Sequence, residues 1–421
     1  MQVQIASIKQ DKTKWGLTAA ACAIALVAAF SFTRPAGAAT ATLVVDDDGQ
    51  ATANNCNSST ATPYTTIGAA ITAANANDTV KVCPGAYAEN VVVDKALTLK
   101  GAKAGEWVNS RTFGAANEST ITGLVTIQAA DVKVEGFSLT NPNQGLGVVV
   151  KTAANNATIK KNILKTVGSN TFVGPTVGVY LELGPDDVNV AGNKISEVQS
   201  QTGSAQGVLV GDSTSANPSL DTTIDNNTIS DITSVSRGAY GVQVNNGAST
   251  APSATGYTEA SIHGNSIKTL SGNWAHAIGL EGETPNVVVT HNVVSGLTDN
   301  NPVPAADTIG VFFEDNPFFF TGEVNNNSLN VTTTGYGIAV SAALTTQYPS
   351  LSVDGECNWW GAANGPGAVA TGSGSLVTAG VDYKPWLKSA NLNKDCDDHN
   401  HSKHGGDWKD HNNDDWWRNN D

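Results

Sequence analysis

The chain has 421 residues and a formal net charge of −15. This acidic balance argues against nucleic acid and anionic lipid surfaces as partners. Val, Ile and Thr dominate the periodic segments, which excludes a repeat built of helices. A chain of this length ordinarily forms two or three domains, but a solenoid can be longer because each coil contacts only its neighbours.

Residues 1–38 are predicted to be a signal peptide. Three lysines precede an apolar stretch from Leu17 to about Phe32, and the small-x-small sequence Ala36-Gly-Ala38 follows it. We expect secretion with cleavage before Ala39, and no transmembrane segment afterwards. A membrane anchor is the alternative, but the apolar run is short for a span. Removal of this basic segment leaves a mature protein that is more acidic than the whole chain.

Residues 39–79 are predicted to form an N-terminal segment with a capping helix. Thr65 or Thr66 is a suitable N-cap for this helix. The apolar stripe of the helix would consist of Ile67, Ala70, Ile71 and Ala74. A stack of strands needs such a cap because its ends expose backbone groups and core.

An acidic loop, Asp46-Asp-Asp-Gly49, precedes the helix. Three carboxylates beside a turn residue are compatible with calcium binding. The loop lacks the alternating ligands and the terminal Glu of an EF-hand, however. We therefore expect a solvated loop.

Four cysteines remain after the signal peptide, and an even number in an oxidising compartment predicts disulfides. Of the three possible pairings we favour Cys56–Cys83 and Cys357–Cys396, because a solenoid keeps its two ends far apart. Each bridge would then hold one end of the stack. A reactive thiol is the alternative, but no histidine lies near Cys56 or Cys83 in the sequence.

Two short runs recur within residues 80–390 and predict an all-β solenoid of stacked coils. One run is Gly-apolar-x-apolar, as in Gly207–Val210, and the other is apolar-x-x-Asn-x-apolar, as in Ile224–Ile229. The asparagine of the second run recurs at intervals of 27 to 38 residues: Asn162, Asn193, Asn227, Asn265, Asn292 and Asn327. An asparagine side chain both donates and accepts hydrogen bonds. We therefore expect these asparagines to be buried at turns and bonded to the neighbouring coil.

The stretch from Tyr64 to Gly101 includes Val82-Cys-Pro-Gly-Ala-Tyr-Ala-Glu-Asn90 and resembles the beginning of right-handed parallel β-helices of the pectin-lyase-like superfamily. Cys357-Asn-Trp-Trp-Gly361 and the run 381–387 resemble the closing segment of secreted bacterial members. The resemblance covers roughly residues 42–388 and implies a right-handed parallel β-helix with a short N-terminal capping helix. It implies no single activity, because the superfamily holds lyases, hydrolases, esterases, epimerases and non-catalytic surface proteins.

The catalytic patterns of the enzymes in this superfamily are mostly missing. The Gln-Asp-Thr and Asp-Phe-Ile-Phe-Gly segments of pectin methylesterases have no counterpart, and the polygalacturonase patterns are absent. Pectate lyases use a calcium cluster and an arginine base, whereas between residues 39 and 390 only Arg111 and Arg237 occur. No catalytic residue is therefore assigned.

In this superfamily the Gly-led strands form the sheet that usually carries the active site. If the first and third residues after each glycine point inward, the second and fourth point to solvent. These two outward columns contain a candidate glycan-binding or calcium face: Tyr180, Glu182, Gln243, Asn245, Glu281, Phe312 and Glu314. Glu281 and Glu314 fall on adjacent coils, where a cation would relieve their repulsion, and Phe312 offers a face for a sugar ring. An ordinary solvated strand face is the alternative.

Residues 391–421 are crowded with Asp, Asn, His and Trp and have no apolar period, which predicts a disordered tail. A weak transition-metal site is compatible with its histidines: His399, His401, His404 and His411. Their spacing specifies no coordination geometry, so a plain soluble tail is the alternative.

Two functions remain open. The first is a secreted, non-catalytic β-helix protein of the cell envelope or extracellular matrix. It would bind a polysaccharide or cell-surface glycan, or serve as a structural surface element, with calcium possible and no cofactor required. The alternative is a polysaccharide-active enzyme, a lyase, C5-epimerase or hydrolase, working on the outer face of the Gly-led sheet. Convergence of three or more polar side chains in a cleft, rather than their spread along a flat sheet, would distinguish the enzyme.

Overall fold

The computed structural model describes residues 40–51, 55–56, 63–182, 184–212, 219–246, 258–282, 284, 286–301, 307–314, 322–332, 334–394 and 396. The predicted signal peptide and the four tail histidines lie outside the described residues.

The described strands form the parallel β-helix predicted from the sequence, with three parallel sheets that the chain visits in turn. Sheet 1 contains Thr42–Val45, Thr79–Val82, Thr98–Lys100, Lys133–Glu135, Thr158–Lys160, Asn189–Ala191, Thr222–Asp225, Ala260–His263, Val288–Thr290 and Val324–Asn325. Sheet 2 contains Gly85–Tyr87, Ser119–Thr122, Ser138–Asn141, Ile163–Gly168, Lys194–Ser200, Thr228–Ser234, Ser266–Gly272, Val293–Asp299 and Ser328–Leu329. The Gly-led sheet contains Val91–Val93, Val125–Ile127, Leu146–Val150, Thr176–Leu181, Ala205–Asp212, Gly238–Asn246, Trp274–Gly282, Thr308–Phe313, Tyr336–Val340, Gly367–Ala368 and Leu376–Val377. The described helices are α1 (Ile67–Ala73), α2 (Ala342–Gln347) and a 3-10 turn at Val108–Ser110. A separate pair of short strands is formed by Val353–Asp354 and Val381–Asp382.

One continuous apolar core runs along the stack, from Val45 at one end to Val381 at the other. Branched aliphatic side chains of all three sheets point into it, and residues such as Val208, Ile229 and Ile262 are fully buried. β-branched side chains suit this interior because they pack well on a pleated surface. The core therefore grows one coil at a time, as expected of a solenoid.

An asparagine ladder lines the turn between sheets 1 and 2, as predicted. The amide nitrogen and side-chain Nδ2 of Asn193 both donate to Oδ1 of Asn227, at 2.9 and 3.0 Å, and Nδ2 also donates to the carbonyl of Ile159. The same pattern links seven buried residues: Asn162, Asn193, Asn227, Asn265, Asn292, Asn327 and Asn358. Asn358, inside the closing motif, is a member that the sequence analysis did not assign.

Helix α1 caps the N-terminal end, and charged side chains of the following coil hold it at both ends. Thr66 is the N-cap, with its hydroxyl accepting from the amide of Ala69. The carboxylate of Glu89 accepts the amides of Ile67 and Gly68, while Nζ of Lys95 donates to three carbonyls at the C-terminal end of the helix. These contacts satisfy backbone groups that a helix leaves unpaired at its ends.

The acidic loop before α1 is solvated at Asp47 and Asp48, as expected, but not at Asp46. Asp46 is buried, and its carboxylate accepts the amide of Gln50. Asp47 accepts the amide of Ala86, which ties the loop to the first strand of sheet 2. Burial raises the pKa of Asp46 to about 6, with further raising by the neighbouring Asp48. The residues before α1 also contribute a strand, Thr42–Val45, that pairs with Thr79–Val82.

Two disulfides hold the two ends of the described stack, with the pairing predicted from the sequence. Cys56 is bonded to Cys83 near α1, and Cys357 to Cys396 at the far end. Disulfides of this kind persist in oxidising, extracellular compartments. Within the described residues, no helix has the length and apolar character needed to cross a membrane.

Candidate functional site

The strand register of the Gly-led sheet aligns the two outward columns read from the sequence. Leu209 is aligned with Gln243, Gln243 with Gly279, and Gly279 with Phe312. In the second column Asn245 is aligned with Glu281. Glu314 follows on the next coil, because its amide donates to the carbonyl of Leu280. Glu281 and Glu314 thus lie on adjacent strands.

A third column also reaches the outer face of this sheet, and the sequence analysis missed it. Gln206 is aligned with Tyr240, and Tyr240 with His276, each one residue before the glycine position. Strict alternation places these residues inside. The backbone pairing, however, skips the glycine, where a Cβ on Gly241 would lie 2.4 Å from Cγ2 of Ile267. The pairing also skips this position in the strand of His276, where Ala277 replaces the glycine. In each strand the alternation shifts by one residue there, and the preceding side chain turns outward.

His276 lies between two carboxylates. Its Nε2 is 3.0 Å from Oδ1 of Asp307, and its Nδ1 is 3.2 Å from Oε1 of Glu314. The ring is buried and packs edge-on against Phe312 and Tyr240, with centroids 4.8 and 5.3 Å away. Burial by itself lowers the pKa of His276, but the hydrogen bonds and charges of Asp307 and Glu314 outweigh it and raise the pKa. As an imidazolium, His276 donates one hydrogen bond to each carboxylate.

Tyr240 connects Glu314, a partner of His276, to Trp274. The indole Nε1 of Trp274 donates to the Tyr240 hydroxyl at 2.8 Å, and that hydroxyl donates to Oε1 of Glu314 at 3.2 Å. The Tyr240 ring occupies the space left by Gly279, where a Cβ would lie 3.0 Å from Cε1. Burial and the charge of Glu314 raise the pKa of Tyr240, so the hydroxyl keeps its proton.

Glu281 is held by a relay of side-chain amides. Nδ2 of Asn245 donates to Oε2 of Glu281 at 2.7 Å, and Nε2 of Gln243 donates to the same oxygen at 3.3 Å. Gln206 in turn donates to Gln243. Gln243 and Asn245 are only 7% and 6% exposed, so the expectation of a solvated face is wrong at both positions.

We call Tyr240, His276, Glu281, Asp307 and Glu314 the acidic cluster. It combines three carboxylates with one imidazolium, and the described strands of the Gly-led sheet contain no lysine or arginine. Polar side chains therefore converge here rather than lying separately along the sheet. From the sequence, His276 is expected only at a strand end near the two glutamates. Its contacts, and the presence of Tyr240 and Asp307, were missed because the alternation shift and the loop before Thr308 are not visible in the sequence pattern.

Tyr180 and Glu182 do not join the acidic cluster. Tyr180 lies three strands from Gly279 along the sheet, or about 14 Å at the usual strand spacing. Glu182 forms an ion pair with Lys151 of the neighbouring strand, and each of the two residues lies one position beyond the end of its strand. The candidate face of the sequence analysis therefore separates into the acidic cluster and an isolated ion pair.

The described residues contain no group of three or more His, Cys, Asp or Glu that could hold a metal ion. Glu281 and Glu314 are bonded to separate donors, which relieves the repulsion that a cation was expected to relieve. Cavities of about 720 and 510 Å³ lie over sheet 2 and sheet 1, respectively, and neither includes the acidic cluster.

The fold and this site define a parallel β-helix with an organised polar cluster on the outer face of its Gly-led sheet. The chain matches no family model, and no curated protein or solved structure is significantly similar to it.

Proposed function

We propose that the protein is a secreted, non-catalytic parallel β-helix of the cell envelope or extracellular matrix that binds a polysaccharide at the acidic cluster. The observation that carries this proposal is the convergence of Glu281, Glu314 and Tyr240 beside the half-buried ring of Phe312. Carboxylates accept hydrogen bonds from sugar hydroxyls, and an aromatic ring packs against the apolar face of a pyranose.

Polar side chains converge in the acidic cluster, as expected of the enzyme, but neither of the two cavities includes them. The chemistry of the cluster favours binding over catalysis. Both ring nitrogens of His276 are engaged by carboxylates, so the ring has no free nitrogen with which to abstract a proton. The Tyr240 hydroxyl keeps its proton and is bonded on both sides. A rigid, pre-bonded cluster suits a binding surface, because little side-chain freedom is lost when a ligand binds.

Export and superfamily membership belong to the same proposal. The disulfides at both ends of the stack suit an oxidising compartment. The opening and closing motifs resemble those of secreted bacterial pectin-lyase-like proteins, and the chain would be exported by its first 38 residues.

A glycan array with the mature protein tests this proposal, scored for binding and for product release with and without calcium. Phe312→Ala should reduce binding at least about tenfold, whereas Tyr180→Ala, on the same sheet outside the cluster, should leave binding unchanged. The absence of binding to any polysaccharide overturns the proposal. An equal loss of binding in both variants would mean that the glycan-binding site is not the acidic cluster.

The second candidate is a polysaccharide-active lyase, C5-epimerase or hydrolase. It is favoured by one observation, the two glutamates on adjacent strands, because paired carboxylates perform acid–base chemistry in glycosidases. Product release from any glycan that is lost in Glu281→Gln would replace the binding proposal with this one.

Calcium binding is tested by thermal melts of the same protein and variants. If it binds at the glutamates, it raises the melting temperature of the intact protein but not that of Glu281→Gln/Glu314→Gln.

A further inference from the structure

We infer that the polysaccharide bound by the acidic cluster is cationic and carries free amino groups, as in a polymer of unacetylated glucosamine. This inference rests on the proposed function and adds the charge of the ligand.

The first step is the charge of the cluster. Glu281, Asp307 and Glu314 carry three negative charges, and His276 neutralises one of them. The side chain of Asp307 is 47% exposed and that of Glu314 is 18% exposed, so both carboxylates are accessible to a ligand. Lys151, one residue beyond the strand Leu146–Val150 of the same sheet, is paired with Glu182. A uronic acid polymer would meet uncompensated repulsion at this face.

The second step is the direction of the hydrogen bonds. Each of the three surrounding side-chain amides uses an N–H within the protein: Asn245 and Gln243 donate to Glu281, and Gln206 donates to Gln243. Two buried acceptors, Oδ1 of Asn245 and Oε1 of Gln206, have no hydrogen-bond partner among the described residues. Asn245 and Gln206 are 6% and 7% exposed, and both side chains are directed into the network around Glu281.

These two steps together define the ligand by its chemistry. Accessible carboxylate oxygens, backed by buried amide oxygens that lack a donor, favour a ligand rich in N–H and O–H groups. An ammonium group supplies three donors and a positive charge, whereas an N-acetyl group supplies one donor and no charge. The ring of Phe312, in van der Waals reach of His276, adds an apolar face beside the charges.

Calcium is the competing cationic ligand, and the structure favours it less. In the described part of the chain, no three carboxylate or histidine side chains are arranged so that they could hold a metal ion together. Calcium ordinarily takes six to eight oxygen ligands. A sugar ammonium needs only the two or three acceptors that the cluster offers.

The experiment compares oligomers of glucosamine and of N-acetylglucosamine that have the same length and linkage, by calorimetric titration of the mature protein. We expect the glucosamine oligomer to bind at least about tenfold more tightly, and this preference to fall as salt rises. Glu281→Gln/Glu314→Gln should remove the preference. The matched variant Asp94→Asn/Glu106→Gln, which loses the same charge from exposed positions outside the cluster, should keep it.

The possible results separate this inference from the proposed function. Equal binding of the two oligomers, or tighter binding of the acetylated one, overturns the cationic ligand and leaves polysaccharide binding in place. Binding of neutral glycans alone on the array does the same, and absence of binding to any glycan overturns both. If the double variant is unstable, the comparison of the two oligomers on the unmodified protein still tests whether the ligand is cationic. The two oligomers differ only in charge and acetyl group.

Discussion

His276 is the residue whose environment most clearly departs from expectation. A buried imidazole usually stays neutral because burial penalises the charged form. Here Asp307 and Glu314 contact both ring nitrogens, and their combined effect raises the pKa of His276. Histidine therefore serves as a structural cation at the centre of the acidic cluster.

The raised pKa of His276 makes its contribution to stability dependent on pH. A group with a raised folded-state pKa stabilises fully below its unfolded value, about 6.5, and loses this effect as pH rises through the folded value. His276→Gln should therefore lower the free energy of unfolding by about 1–3 kcal/mol near pH 6, with a smaller difference at alkaline pH. Thermal melts across this range measure it, with His263→Gln on sheet 1 as the control. A difference that grows with pH would contradict the ion-pair assignment.

Asn227 is a test of the ladder at the scale of one side chain. Its side chain accepts a hydrogen bond from Asn193 and donates to both Asn265 and the carbonyl of Val190, and all three hydrogen bonds are buried. Asn227→Ala leaves these buried groups unpaired and should reduce the free energy of unfolding by about 1–3 kcal/mol. Chemical denaturation measures the loss. Asn109→Ala, at an exposed position, should have almost no effect, and an equal loss in both variants would mean that the ladder has no special role.

At the scale of elements, α1 is too short to be stable by itself, since isolated helices of this length are marginal in water. It is stabilised by burial of Ile67, Ala70 and Ile71 and by the side chains of Glu89 and Lys95 at its ends. Both charged residues belong to the next coil. The cap and the first coil therefore form together.

This dependence gives a prediction for Lys95. Lys95→Met removes the donor to the carbonyls of Ile71, Thr72 and Ala74 and should weaken the cap by about 1 kcal/mol. Hydrogen exchange should become roughly fivefold faster in α1, with no change in strands near the middle of the stack. Lys388→Met, at an exposed position, is the control. Unchanged exchange in α1 would show that apolar burial alone holds the helix.

At the scale of the whole molecule, the coils depend on their neighbours and the ends are the weakest points. The disulfides Cys56–Cys83 and Cys357–Cys396 are placed where separation of the coils would begin. Reduction should accelerate hydrogen exchange in the first and last coils first, because each bridge restrains its own end. Mass spectrometry of the exchanged peptides measures this. Equal acceleration in the middle coils would show that the stack unfolds as one cooperative unit.

The sequence by itself determined the coil architecture, because the signals are local and repeat. The asparagine spacing, the apolar stripe of α1 and the residue columns of the Gly-led strands each depend on neighbours a few residues apart. The pairing of Gln243 with Gly279 and of Asn245 with Glu281 followed from counting positions after each glycine. The cysteine pairing followed from the length of a linear stack.

Only the tertiary structure decided the acidic cluster. Tyr240 and Glu314 are 74 residues apart, and His276 meets Asp307 and Glu314 across 31 and 38 residues. Their meeting depends on the shift of alternation at the position that the strand pairing skips, which is Gly207, Gly241 and Ala277 in successive coils. It also depends on the loop that delivers Asp307. Both are properties of stacked coils, and a pattern read along one strand does not contain them.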